Sequence, residues 1–236
     1  MAGGQFGPSP APGATPPSAD LVVADSQGPT LTLLRGDGSG QFIPTQTMEV
    51  SMASGGFSDV VVADVNGDGK LDVIASNPAT NRVVVVLGDG NFGLREGPFT
   101  DVEPSPGRVV VQDLSGDGIP DLIVAGASGV AVLQGTGDGN FKGLSRVETG
   151  AAVSDVAVVD VNGDGRPDLV VALPERHVVQ VYVGESSGGF TLEQTLIGAA
   201  PSVLLVGDFS GDAQPDLVVG ESDAEPVARE RRRLWR

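Results

Sequence analysis

The sequence predicts an all-β fold, a β-propeller of four-stranded blades with about four blades present. Three observations lead there. An acidic loop recurs four times at nearly constant spacing, a Gly-rich turn ending in Phe recurs out of phase with it, and short Val-rich runs lie between them. The loops are 64–72 (DVNGDGKLD), 113–121 (DLSGDGIPD), 160–168 (DVNGDGRPD) and 208–216 (DFSGDAQPD), with starts 49, 47 and 48 residues apart. The turns end at Phe42, Phe92, Phe141 and Phe190, at intervals of 50, 49 and 49. Two independent markers that agree on one period identify a true repeat.

Each unit reads as strands. Val60, Val61 and Val62 run into the first loop and Val73 and Ile74 leave it. A run from Arg82 to Leu87 follows, then the GDGNF turn and a weaker segment near Phe99. β-branched runs separated by Gly, Asp, Asn and Pro favour strands, and no segment carries a sustained 3.6-residue apolar period with caps. Four strands in about 48 residues make a propeller blade, which buries its two faces only by stacking on neighbours.

Along the chain, residues 1–17 read as a Pro/Gly-rich irregular segment, since 8–17 hold five prolines. Repeats occupy 18–223. A partial unit at 20–57 enters at the last residue of its loop. Full units follow at 58–107, 108–154 and 155–202, then a partial unit at 203–223. Phe6, in GGQF, reads as the end of a still earlier turn. Residues 224–236 form an Arg-rich tail outside the domain. Two arrangements fit this count. The chain is an open arc of a larger propeller, or the strand at 202–207 completes the unit beginning at Asp20 and closes four blades into a ring. The open arc is favoured, because the ring leaves a strand and most of a unit over.

Composition narrows the chemistry. The 236 residues include no Cys and one His, His177, which excludes disulfides, thiolate metal sites, a thiol nucleophile and a His-based metal site. The net charge is −17, and five of the fourteen bases lie in the last eight residues. An acidic body of this kind repels nucleic acid and anionic lipid and attracts divalent cations. Apolar runs such as Val83–Leu87 fall far short of the ~18 residues a membrane helix needs. The start, MAGGQF, is neither charged nor apolar enough for a secretory signal.

The acidic loops are the strongest chemical signal. Calcium takes six to eight oxygen ligands in a flexible cage. Positions 1, 3 and 5 of a tight loop can point inward, Gly at 4 and 6 allows positive φ, the carbonyl at 7 adds an oxygen and the acid at 9 closes the cage. The candidate ligands are therefore Asp64, Asn66, Asp68, Lys70 (carbonyl) and Asp72 in the first loop, and Asp113, Ser115, Asp117, Ile119 (carbonyl) and Asp121 in the second. In the third they are Asp160, Asn162, Asp164, Arg166 (carbonyl) and Asp168, and in the fourth Asp208, Ser210, Asp212, Gln214 (carbonyl) and Asp216. An EF-hand is excluded, since position 12 is Ala75, Val124, Val171 or Val219 rather than Glu. Up to four Ca²⁺ ions are expected. Affinity should be highest in loops one and three, lower in two where Ser115 replaces Asn, and lowest in four, where Ala213 replaces a Gly and either strains or reshapes the turn. Hairpin formation alone explains the Asp-Gly and Asn-Gly pairs without metal. It leaves unexplained an acid at position 9 in every loop, and twelve of the 31 acids gathered in four loops.

Asp-x-Asn-Gly-Asp-Gly-x-x-Asp-Leu, then a Val-rich strand and a Gly-Asp-Gly-x-Phe turn, resembles the FG-GAP/VCBS repeat over about 18–223. That repeat builds the propeller head of integrin alpha subunits and of many bacterial secreted or surface proteins. The resemblance implies a calcium-stabilised propeller, an extracellular or cell-surface setting and a role in adhesion or ligand binding. It carries the ligand positions over in loops one and three, with departures at Ser115, Ser210 and Ala213. The unit count falls short of the family's usual seven-bladed ring.

Two motifs are decoys. Residues 88–93 match G-x-G-x-x-G, but no helix follows. Residues 184–188 match G-x-S-x-G, but Ser186 sits in a repeat turn, and it and His177 read as surface residues. The expected function is non-enzymatic, a calcium-binding propeller that recognises a protein or other ligand. The alternatives are a lectin-type propeller, disfavoured by 4% aromatic content, and an accessory fragment of a secreted polysaccharide-degrading enzyme. No nucleic-acid partner and no membrane span are expected, and an open arc should self-associate through its bare ends.

Overall fold

The computed structural model describes residues 1–8, 18–102 and 104–222, and the backbone of Leu234–Trp235. The chain forms five antiparallel sheets in sequence order. Blade 1 comprises β1 (Ala2–Gly4), β2 (Asp20–Ala24), β3 (Thr30–Gly36) and β4 (Phe42–Glu49). Blade 2 comprises β5 (Asp59–Ala63), β6 (Asp72–Asn77), β7 (Arg82–Gly88) and β8 (Leu94–Asp101). Blade 3 comprises β9 (Val109–Gln112), β10 (Asp121–Ala125), β11 (Gly129–Gly135) and β12 (Phe141–Glu148). Blade 4 comprises β13 (Asp155–Val159), β14 (Asp168–Leu173), β15 (Val178–Gly184) and β16 (Phe190–Ile197). Blade 5 holds β17 (Pro201–Gly207), β18 (Asp216–Glu221) and the pair Leu234–Trp235 as β19. Within each blade consecutive strands are neighbours, and the first strands of successive blades lie side by side.

The middle strands carry the continuous Val runs because both their faces are covered. β6 and β14 are buried along their whole length and β7 nearly so. Alternate residues then face opposite neighbours. Val73 and Ala75 join the core shared with blade 1, while Ile74 joins the core shared with blade 3. Four such cores result, one between each pair of consecutive blades. In the first four blades the last hairpin also breaks register at a matching point, as at Val132/Leu133 and Val181/Tyr182. This is a bulge that re-aims the outer strand.

Several expectations need correction. The segment 1–17 is not irregular throughout, because Ala2–Gly4 pairs with β2 and completes blade 1. Phe6 does not end an earlier turn. It follows β1 at the place Val65 holds after β5, and an insertion before Asp20 hid that equivalence from the period. Most of the insertion, 9–17, lies outside the described residues. The ring in which strand 202–207 completes the first unit is not formed, since β17 pairs with β18 and β2 with β1. The Arg-rich tail lies outside the described residues except Leu234–Trp235, whose backbone pairs with β18. Among the described residues, no helix is long and apolar enough to cross a membrane.

Candidate functional site

Each acidic loop joins the first strand of a blade to its second, and each Gly-rich turn joins the third to the fourth. Antiparallel order therefore places all of them at one end of the propeller. The predicted positive φ is present at Gly67, Gly116, Gly163 and Gly211 and at Gly69, Gly118 and Gly165. Ala213 adopts it too, at φ 64°, so the fourth loop keeps the shape and carries the strain.

The position-1 acids fold back on their own loops. Asp64 accepts N–H bonds from Gly67 (2.8 Å), Asp68 (3.2 Å) and Gly69 (2.7 Å). Asp160 accepts them from Gly163, Asp164 and Gly165, and Asp208 from Gly211, Asp212 and Ala213. Asp113 takes those of Gly116 and Gly118. The N–H donors hold the carboxyls of Asp160 and Asp208 below the usual range, led by Gly165 and Ala213 respectively. Burial is the largest single influence on Asp113 and opposes this, but the N–H donors together win and its carboxyl is also lowered.

Positions 5 and 3 continue the pattern. Asp68, Asp117, Asp164 and Asp212 accept the N–H groups of Lys70, Ile119, Arg166 and Gln214. Asn66 and Asn162 accept the N–H groups of Asp68 and Asp164, both at 2.9 Å, whereas Ser115 donates its hydroxyl to Asp113. Lys70 Nζ lies 3.4 Å from Asp68, and Arg166 pairs with Asp164.

Position 9 has a use that spacing did not reveal. Asp72 is fully buried, with one oxygen on the Val65 N–H (3.2 Å) and the other on the Gly88 N–H (3.0 Å). Asp121 holds Leu114 and Gly135, Asp168 holds Val161 and Gly184, and Asp20 holds Phe6 and Gly36 in the same way. Asp216 holds Phe209 and Ser210. In blades 1 to 4 the acid thus clamps its loop to the start of the Gly-rich turn. Its recurrence has a metal-free cause and no longer argues for a cation. The signal was present as a Gly placed 16, 14, 16 and 16 residues after the acids Asp72, Asp121, Asp168 and Asp20. Burial pushes the Asp72 carboxyl up. The Gly88 and Val65 N–H groups oppose that, and the charges of Asp68 and Asp64 add to it.

Positions 1, 3 and 5 are thus together at each loop tip, with position 9 beneath. Among the described residues no three His, Cys, Asp or Glu side chains are grouped as a metal site. The turn acids Asp37, Asp89, Asp138 and Glu185 share this end and are also lowered. Side-chain donors lead at Asp37 (Ser39), Asp138 (Thr136) and Glu185 (Thr191), and the Asn91 N–H leads at Asp89. Both decoys resolve. Residues 89–93 are a hairpin turn between β7 and β8. Ser186 is exposed in the turn after β15, while exposed His177 precedes β15 at its opposite end.

The turn marker also needs correcting. Gly36, Gly135 and Gly184 pair with Phe42, Phe141 and Phe190, but Gly88 pairs with Leu94. Leu94, not Phe92, is the equivalent of the other three Phe residues. Phe92 stands within the turn at φ 64°, where the other turns have Gly40, Gly139 and Gly188 at positive φ.

No curated protein sequence matches the chain significantly. Among solved structures, a protein from Lactobacillus plantarum aligns over 87% of this chain and 61% of its own, with TM-score 0.66 and 19% identity. A lectin from Agrocybe aegerita, described as recognising non-reducing terminal N-acetylglucosamine, aligns over 85% and 60%, with TM-score 0.54 and 20% identity. BBS1N, solved in complex with ARL6DN, aligns over 90% and 60%, with TM-score 0.58 and 15% identity. These likenesses show the fold, and the chain spans about 60% of the length of each. The FG-GAP-like repeat profile matches residues 18–75, 64–123, 113–171 and 160–219, the last three matches each beginning at the position-1 acid of a loop and running through the next loop. With four matches that together run from 18 to 219, the chain belongs to the FG-GAP-like repeat family.

Proposed function

We propose that the acidic end of this propeller is a calcium-dependent, non-catalytic recognition surface for a protein ligand in an extracellular or cell-surface setting. The observation that carries the reading is the presentation of four oxygen-rich loop tips at one end of the molecule. The donor set fits a hard cation, since every candidate ligand is an oxygen. The charges of Asp64 and Asp68 already disfavour ionised Asp72, and a divalent cation would offset that repulsion. Asp64, Asn66, Asp68 and the Lys70 carbonyl would hold it in the first loop, with their counterparts in the others and the position-9 acids beneath. Bound calcium would supply charge neutralisation. The side chains at positions 3 and 5 would have to turn from backbone N–H groups toward the ion. Extracellular modules bind calcium weakly enough to respond to millimolar concentrations.

A protein ligand is favoured over a glycan because glycan sites favour aromatic side chains, which make up only 4% of this chain. The test is thermal unfolding in millimolar calcium and in chelator. At ten times Kd each site adds about 1.4 kcal/mol, so the melting temperature should rise with calcium, and less so in Asp64→Ala and Asp160→Ala. An unchanged melting temperature removes the calcium reading.

A further inference from the structure

Three of the four junctions between blades are built alike among the described residues. The residue after position 1 of the acidic loop in one blade packs with the first residue of the outer strand in the next. Phe6 shares a core with Leu94, Val65 with Phe141 and Leu114 with Phe190. Backbone bonds accompany two of these joints, Phe92 N–H to the Phe6 carbonyl and Gly139 N–H to the Val65 carbonyl, both at 3.1 Å. Of the halves left over, Val161 is partly buried in the core between blades 4 and 5, and the exposed ones lie at opposite ends of the chain. Phe209 in blade 5 is 49% exposed and Phe42 in blade 1 is 43% exposed.

Other exposed apolar residues fall on the same two faces. Leu205 corresponds to Val61, which packs toward the following blade, and it is exposed. Val203 is exposed where Asp59 and Asp155 reach the N–H groups of Val109 and Leu204 in the following blades. Met1 stands by register where Val60, Val109, Val156 and Leu204 are buried against the preceding blade, and it is exposed as well. Among the described residues, five of the eight large exposed apolar residues thus lie at positions that interior blades use for stacking.

We propose that a second copy of this chain seats its blade 1 on blade 5 of the first, head to tail, with Phe42 against Phe209 and Met1 beside Val203 and Leu205. The occupant follows from continuity with the four existing interfaces, because blade 1 alone among the described blades has its preceding face free. The contact is heterologous and leaves one bare face at each end of the pair. Further copies can add at either bare face.

The native chain has no cysteine, so single thiols report the contact without interference. Phe42→Cys and Phe209→Cys variants of the full chain, mixed and mildly oxidised, should give the mixed disulfide at least several-fold above either homodimer. The native chain should gain mass with concentration in light scattering, and Leu205→Asp with Phe209→Asp should return it to monomer mass with an unchanged circular-dichroism spectrum. Dominant Phe209→Cys homodimers would mean two-fold pairing and overturn the proposal. So would an intrachain disulfide in the double-cysteine variant at high dilution, which would mean closure of the chain on itself. A monomer at every concentration, with both thiols free, would assign the bare faces to a different blade-bearing chain and equally overturn it.

Discussion

Asp168 accepts the N–H of Gly184 at 2.8 Å, and a Cβ at Gly184 would lie 2.3 Å from the carbonyl oxygen of Pro167. The same approach recurs between Gly88 and Leu71, Gly135 and Pro120, and Gly36 and Ala19, at 2.1 to 2.3 Å. The loop and the turn run so close that no side chain fits between them. That closeness lets one carboxylate reach both. In blades 1 to 4 the Gly that opens the turn is therefore the partner of the acid that ends the loop.

Gly184→Ala should push the strands apart and take one donor from a buried carboxylate. A loss of about 2–3 kcal/mol is expected by urea unfolding. Asp168→Asn keeps one acceptor and should lose less. Both losses should persist in chelator, because the clamp operates without metal. A loss seen only with calcium present would contradict it.

Ala213→Gly should stabilise the chain by about 1 kcal/mol, since a β-carbon at positive φ costs that much. Hydrogen exchange at Asp212 and Ala213, whose N–H groups bind Asp208, should slow. Faster exchange would mean that the alanine is not strained.

Stability in chelator should fall as the pH drops below about 4. Asp37, Asp89, Asp138, Asp160, Asp208 and Glu185 have folded values below their ordinary ones. Their contribution is complete above the unfolded values and is lost as pH falls through the folded ones. Asp72 has the opposite sign, because its raised value means that the penalty of ionising it is relieved on acidification. The lowered groups outnumber it. Denaturant titrations from pH 7 to pH 3 check the balance, and a steady gain in stability on acidification would refute it.

Arg108 lies 3.5 Å from both Asp59 and Asp155. Those acids accept the N–H groups of Val109 and Leu204 across two blade junctions. Arg108→Ala should cost about 1 kcal/mol or less, as expected for a half-exposed pair, and the loss should shrink in high salt. A loss that does not respond to salt would point to packing instead.

The repeat, the strand-rich blades and the left-handed glycines were legible in the sequence because each rests on local chemistry. Gly67 or Gly163 supplies a positive φ whatever surrounds it, and a run such as Val83–Val84–Val85–Val86 suits a strand covered on both faces. The tip donors Asp64, Asn66 and Asp68 were legible for the same reason, since their bonds stay within five residues. Tertiary structure alone decided where Asp72 turns its carboxylate, that Leu94 rather than Phe92 matches Phe141, and that Ala2–Gly4 belongs to blade 1. Each depends on a partner in another strand or blade, at a distance along the chain that an insertion or a two-residue shift can change. Hydrogen bonding and packing respond to distance in space, and a period in the sequence records only distance along the chain.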